Sequence, residues 1–288
     1  MSYKSLKHLI HFLPLLIFSL TVQAQSKLNL WQTGHDGFYS YRYVKGDPMH
    51  ARFYKLKNGL TVILSVNKKE PRIQTLIGVR AGSNNDPKDH TGLAHYLEHL
   101  LFKGTDNYGS LDWNREKPYI DQIAGLYTTY NHTIDPQVRK NIYRQIDSIS
   151  GIASHFAIPN EYQKLMTAIG AQNTNAHTSV EETVYQEDIP STSLDQYLTV
   201  EAERFRYPVF RLFHTELEAV YEEKNRGLDN DGQKMYAAML GGLFPKTNYG
   251  QQTTIGKVED LKDPSLTAIR QFYNTWYVPN NMSIILSG

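Results

Sequence analysis

The hydrophobic pattern changes character several times along the chain. Leu9 to Val22 is an apolar run interrupted by His11, Pro14, Ser19 and Thr21. Residues 25–51 carry Gly, Tyr and Ser with weak periodicity and read as an irregular lead-in. From Arg52 the pattern sharpens. Phe53-Tyr54-Lys55-Leu56, a turn at Asn58-Gly59 and the run Leu60 to Leu64 predict a β-hairpin, and Thr75 to Val79 predicts a third strand. Asp86-Pro87 and Gly92 then precede a helix over about Leu93 to Phe102. Between about residues 106 and 170 the chain becomes charged and helical. Val138, Ile142, Ile146 and Ile149 recur at helical spacing, Pro136 and Pro159 stand near helix starts, and Gly170 fits a helix end. Strands return at Asn175 to Val180 and Val184 to Gln186. Helices follow over Leu194 to Phe205, His214 to Leu228 and Ser265 to Tyr273, and Met282 to Leu286 is a last strand. Mixed strands and helices without regular βαβ alternation predict an α+β fold, a mostly antiparallel sheet packed against helices. The expected domain is 52–288, with the helical stretch at about 106–170 as an insertion.

Composition narrows the chemistry. The chain has 288 residues, 30 Lys+Arg against 29 Asp+Glu, and no Cys. That charge balance, with no basic run, argues against a nucleic-acid partner. Without Cys there are no disulfides and no thiolate ligands, so any metal must be held by His, Asp or Glu. Lys4 and Lys7 ahead of Leu9 to Val22, with Val22-Gln23-Ala24 where a signal peptidase reads, predict a signal peptide over residues 1–24. The run is short for a stable membrane span, which needs roughly 20 apolar residues. The protein is therefore expected to be exported, periplasmic or secreted, after cleavage near Ala24.

His95-Tyr96-Leu97-Glu98-His99 is the most informative pentapeptide. Residues four apart share one face of a helix, so His95 and His99 can grip one ion there. Glu98 is displaced from His95 by about one sixth of a turn, close enough to reach water on a metal without ligating it. Such a pair of ligands with an adjacent carboxylate suits zinc hydrolysis, in which the metal acidifies water and a base takes the proton.

The segment from Gly92 to Thr105 resembles the zinc helix of the insulinase, pitrilysin and mitochondrial processing peptidase family of metallopeptidases. Asn175-Ala176-His177-Thr178-Ser179 with Glu182 to Tyr185 resembles that family's strand beside the metal. Pro208-Val209-Phe210 with Glu216 to Glu223 resembles its third-ligand helix, and Tyr277 to Met282 resembles the end of its domain. The resemblance implies a zinc metalloendopeptidase with His95, His99 and a glutamate as ligands and Glu98 as general base. Glu216, Glu218, Glu222 and Glu223 all lie on the predicted helix. The family's alignment puts the ligand at Glu223 rather than Glu222, with Glu216 as a second carboxylate that hydrogen-bonds a ligand. Spacing agrees, because positions seven apart return to nearly the same helix face. The resemblance also implies an edge strand to which peptide adds, with Asn175 and Ala176 as substrate contacts, although an internal strand fits the residues equally. His132, His155, His177 and His214 have no histidine partner four residues on and are expected to be surface or packing residues. The stretch between His99 and Glu223 is longer than is usual in the family, with the extra segment expected to loop outside the site. Family enzymes enclose peptide between two similar halves, so a second homologous half, in a longer chain or a partner subunit, is expected here. The rival reading is a non-catalytic peptide-binding or scaffold subunit of the same fold.

Overall fold

The computed structural model describes residues 30–262 and 264–288, so the segment expected to direct export lies outside the described residues. The strands are β1 (Trp31–Asp36), β2 (Tyr39–Val44), β3 (Arg52–Lys55), β4 (Thr61–Ser65), β5 (Arg72–Val79), β6 (Gln172–Thr178), β7 (Thr183–Pro190) and β8 (Met282–Ser287). They form one sheet in the order β1-β2-β3-β4-β8-β5-β7-β6. Every pairing is antiparallel except β4 with β8. The α+β architecture expected from the pattern is therefore present.

One expectation is corrected at the start of the sheet. Residues 31–44 are not irregular but form the β1–β2 hairpin, closed by a two-residue loop in which Gly37 takes a left-handed φ of +56°. Tyr39, Tyr41 and Tyr43 alternate along β2, and Tyr41 packs on Tyr54 of β3 with ring centroids 5.3 Å apart. The strand gains its support from this cross-strand aromatic contact, which polar-looking alternation in isolation understates.

The helices are α1 (Leu93–Leu100), α2 (Trp113–His132), α3 (Pro136–Ser154), α4 (Glu161–Ala168), α5 (Leu194–Arg204), α6 (Phe213–Leu228), α7 (Asp231–Leu243), α8 (Asn248–Gln251), α9 (Val258–Leu261) and α10 (Leu266–Trp276). Asp112 and Asp135 cap α2 and α3 by accepting backbone N–H bonds, the latter with Pro136 in the first turn. Gly170, at φ +81°, terminates α4 as expected. Ile120, Ile123 and Tyr127 of α2 and Ile142 and Ile146 of α3 belong to the same core as Leu97, Leu100 and Leu217. The helical stretch after residue 106 is thus packed into the same core. It packs behind α6, where the Tyr127 hydroxyl meets His214 Nδ1 at 3.0 Å. Burying these apolar stripes fixes the back of α6 and leaves its opposite face for chemistry. None of the described helices is long and apolar enough to cross a membrane.

Candidate metal centre

The start of α1 is held by polar contacts that a periodicity reading does not reveal. Asp86 is buried, and its carboxylate accepts the N–H groups of Gly92 and Ala94, each at 2.8 Å. These bonds satisfy donors that a helix start otherwise leaves orphaned and place negative charge at its positive end. Burial pushes the Asp86 carboxyl up to about 7, against the lowering effect of those bonds. Asp260 on α9 accepts from the Thr91 N–H at 3.0 Å and from the Thr91 hydroxyl. Gly92 itself takes a φ of +84°, and a Cβ there would come within 2.4 Å of the Ile255 carbonyl oxygen. A side chain at this position would therefore force the 255–256 loop away from α1.

On α1 so anchored, His95 and His99 lie edge to face with ring centroids 4.8 Å apart. Both present Nε2 to Glu223 of α6, each at 3.8 Å from Oε2. Among the described residues, His95, His99 and Glu223 form a group whose ligand atoms all lie within 4.8 Å of one another. Ligands around a tetrahedral zinc stand about 3.4 Å apart for bonds of about 2.1 Å, so a small closure of this triangle fits the ion. Burial, then the neighbouring His99, pushes the His95 pKa well below the ordinary imidazole value. Its imidazole is thereby kept neutral, the form that binds metal.

Glu98 lies beside the triangle and is 8% exposed. Its Oε2 accepts a hydrogen bond of 2.5 Å from the Thr178 hydroxyl. Burial raises its pKa, and the Thr178 bond and the nearby histidines offset part of that rise. Thr178 was not singled out in the sequence. Its position two residues after Ala176 puts it on the strand face turned toward α1, which is the signal that could have found it. Glu216, seven residues before Glu223, lies on the other side of His99, with Oε2 3.6 Å from Nδ1 and Oε1 2.7 Å from Lys103 Nζ. Burial pushes the Glu216 carboxyl up, but His99 and Lys103 outweigh it and hold the group below its ordinary value. Glu222 is exposed on the helix, and Glu218 turns toward His214 on the far side of α6.

The strand β6 is the edge of the sheet beyond β7, as an added peptide strand requires. Asn175 is exposed there, whereas the Ala176 side chain packs against the core, so Ala176 offers its backbone rather than its side chain. His132, His155 and His177 are exposed and His214 is buried in packing contact. From Glu223 an open cleft of about 1220 Å³ runs between α7 and the 249–258 segment to Val180, just past the end of β6.

The fold and the His-x-x-Glu-His helix define a zinc-peptidase-like domain. Residues 61–133 match the model of insulinase, peptidase family M16. The chain is 25% identical over 254 residues to the zinc protease PQQL-like protein of Arabidopsis thaliana, covering 84% of this chain and 21% of that relative. A protease from Helicobacter pylori has a similar structure, with a TM-score of 0.61 at 23% identity over 82% of this chain and 45% of that one. The first half of the periplasmic protease PqqL from Escherichia coli gives 0.59 at 21% identity over 83% and 42%. The chain is thus similar to the insulinase family. It spans about a fifth of the length of the curated relatives it matches.

Proposed function

We propose that this chain is the metal-holding part of a zinc metalloendopeptidase, with His95, His99 and Glu223 as ligands and Glu98 as general base. The observation that carries the reading is the convergence of two imidazole Nε2 atoms on Glu223 Oε2 beside a buried, hydrogen-bonded Glu98. Bound zinc would supply a Lewis acid that polarises the scissile carbonyl and acidifies water at the ligands' open position. The residues of the chain do the remainder. Thr178 fixes Glu98 Oε2, so the proton from water is taken at Oε1 and passed to the nitrogen of the leaving amine. Burial of Glu98 weakens its charged form and so favours uptake of the proton from water.

Substrate is an extended peptide or unfolded polypeptide that adds to β6 through main-chain hydrogen bonds at Asn175 and Ala176, with one flank in the cleft beyond Glu223. Full turnover is expected to need a second homologous half, as part of a longer chain or as a partner subunit. The neighbouring structures support this, since the chain covers under half of each. An exported location, periplasmic or secreted, is proposed from the apolar run near the start of the sequence.

The test pairs metal content with cleavage. The native chain, alone and with the second half, should carry stoichiometric zinc and cut unstructured peptides in a chelator-sensitive manner. Glu98→Gln should keep the zinc and lose cleavage by at least about 100-fold. Substantial turnover in that variant would refute the role of Glu98. Tight peptide retention by the native chain without cleavage would favour the scaffold reading instead.

A further inference from the structure

His99 stands between two carboxylates of one helix. Its Nε2 lies 3.8 Å from Glu223 Oε2, and its Nδ1 lies 3.6 Å from Glu216 Oε2. Either carboxylate could share an ion with His99, and helical spacing does not choose between them. They differ in what else they touch. Glu216 has its second oxygen 2.7 Å from Lys103 Nζ, in a pair whose side chains are 14% and 18% exposed. The Glu223 side chain is 46% exposed, and among the described residues its ion-pair contacts are the two imidazoles.

Lys103 is itself held in place. It sits just past the end of α1, where its N–H donates to the Leu100 carbonyl at 3.1 Å. Its own carbonyl accepts from Arg211 Nη1 at 2.8 Å. Arg211 is anchored on Glu116, both side chains being 1% exposed, and it lies two residues before α6. The residue that fixes the Lys103 backbone therefore also starts the helix that carries Glu216. This ties the separation of Lys103 and Glu216 to the core rather than to flexible side chains.

We propose that Lys103 is a positioning residue of the metal centre that sorts the two carboxylates. By engaging Glu216 it keeps that group out of the ligand set and makes it the acceptor for the His99 Nδ1–H, which commits Nε2 to the ion and leaves Glu223 to ligate. His95 has no such device. Among the described residues its buried Nδ1 has no hydrogen-bond partner, so packing orients that side of the ring. The proposal rests on the metal-site reading above and concerns which residues make that site selective for one arrangement.

The experiment measures zinc affinity of the full chain by competition with a chromophoric chelator, in the native protein and in K103M, K103R, E216Q and K103M/E216Q. Partners of a ligating histidine usually change metal affinity by about 10–100-fold. K103M should weaken binding within that range, and K103R should recover most of the loss. Because Lys103 acts through Glu216, K103M should add little in the E216Q background. Apo-state melting of K103M and K103R, matched to the native chain, separates lost positioning from lost folding. Native-like or tighter zinc binding by K103M would overturn the proposal, as would an equal loss in both backgrounds. Failure of the native chain to hold stoichiometric zinc would be a different result, one that sinks the metal centre itself.

Discussion

Arg211→Met is the substitution whose cost the structure defines best. The guanidinium donates to Glu116 from Nε at 3.0 Å and from Nη2 at 3.1 Å. It also donates to the carbonyls of Lys103 at 2.8 Å, Thr105 at 2.8 Å and Tyr108 at 3.2 Å. Methionine fills similar volume but leaves a buried carboxylate and three carbonyls without their donor. Removing one partner of a buried ion pair costs about 3–5 kcal/mol, mostly because the survivor stays buried and uncompensated. For a domain of this size each kcal/mol moves the melting temperature by roughly 2–4 °C, so a fall of about 6–20 °C is expected in calorimetry. The double variant Arg211→Met/Glu116→Leu removes the stranded charge and should recover at least half of that fall, the unmet carbonyls accounting for the rest. The loop from Lys103 to Gly109 follows α1 directly, so zinc affinity should drop with the single substitution as well. A melting temperature within about 3 °C of the native chain, or a double variant no better than the single, would refute this account of Arg211.

Glu223→Gln should weaken zinc binding by more than about 100-fold, beyond the usual effect of a residue that only supports a ligand, whereas Glu222→Gln should leave it near the native value. Equal losses in a chelator-competition assay would place the third ligand elsewhere. Asp86 gives a pH signature. Its folded pKa, about 7, lies above its ordinary 3.8, so the folded chain holds that proton where the unfolded chain has lost it. The resulting stabilisation is complete below about pH 4 and is lost as pH rises through about 7. In urea unfolding, the stability gap between the native chain and Asp86→Asn should therefore shift in favour of the variant from pH 4 to pH 8. A gap that stays constant would show that Asp86 titrates normally. Together with the Glu98→Gln test, these measurements separate the ligands, the base and the scaffold that holds them.

Much of the fold was legible because it is written in local periodicity. The hairpin at 52–64, the helices over 194–205 and 214–228 and the final strand all follow from period-two or period-3.6 patterning, with glycines at chain reversals. The β1–β2 hairpin was missed because its stability lies in contacts between strands, such as Tyr41 on Tyr54, and not in apolar alternation within one strand. The helices after residue 106 were legible as helices, but their place in the core was not, since packing partners distant in sequence decide it.

The site divides in the same way. Sequence alone determined that His95 and His99 share a helix face with Glu98 beside them, because four residues of helix bring side chains to one side wherever the helix sits. It also determined that Glu216 and Glu223 face alike. Only the tertiary structure decided that α6 meets α1 at this angle, that Glu223 rather than Glu222 reaches both imidazoles, and that Thr178, Asp86 and Lys103 attend the site. Those are contacts between segments far apart in the chain, fixed by core burial and by buried polar groups that must find partners, and no pattern within one segment encodes them.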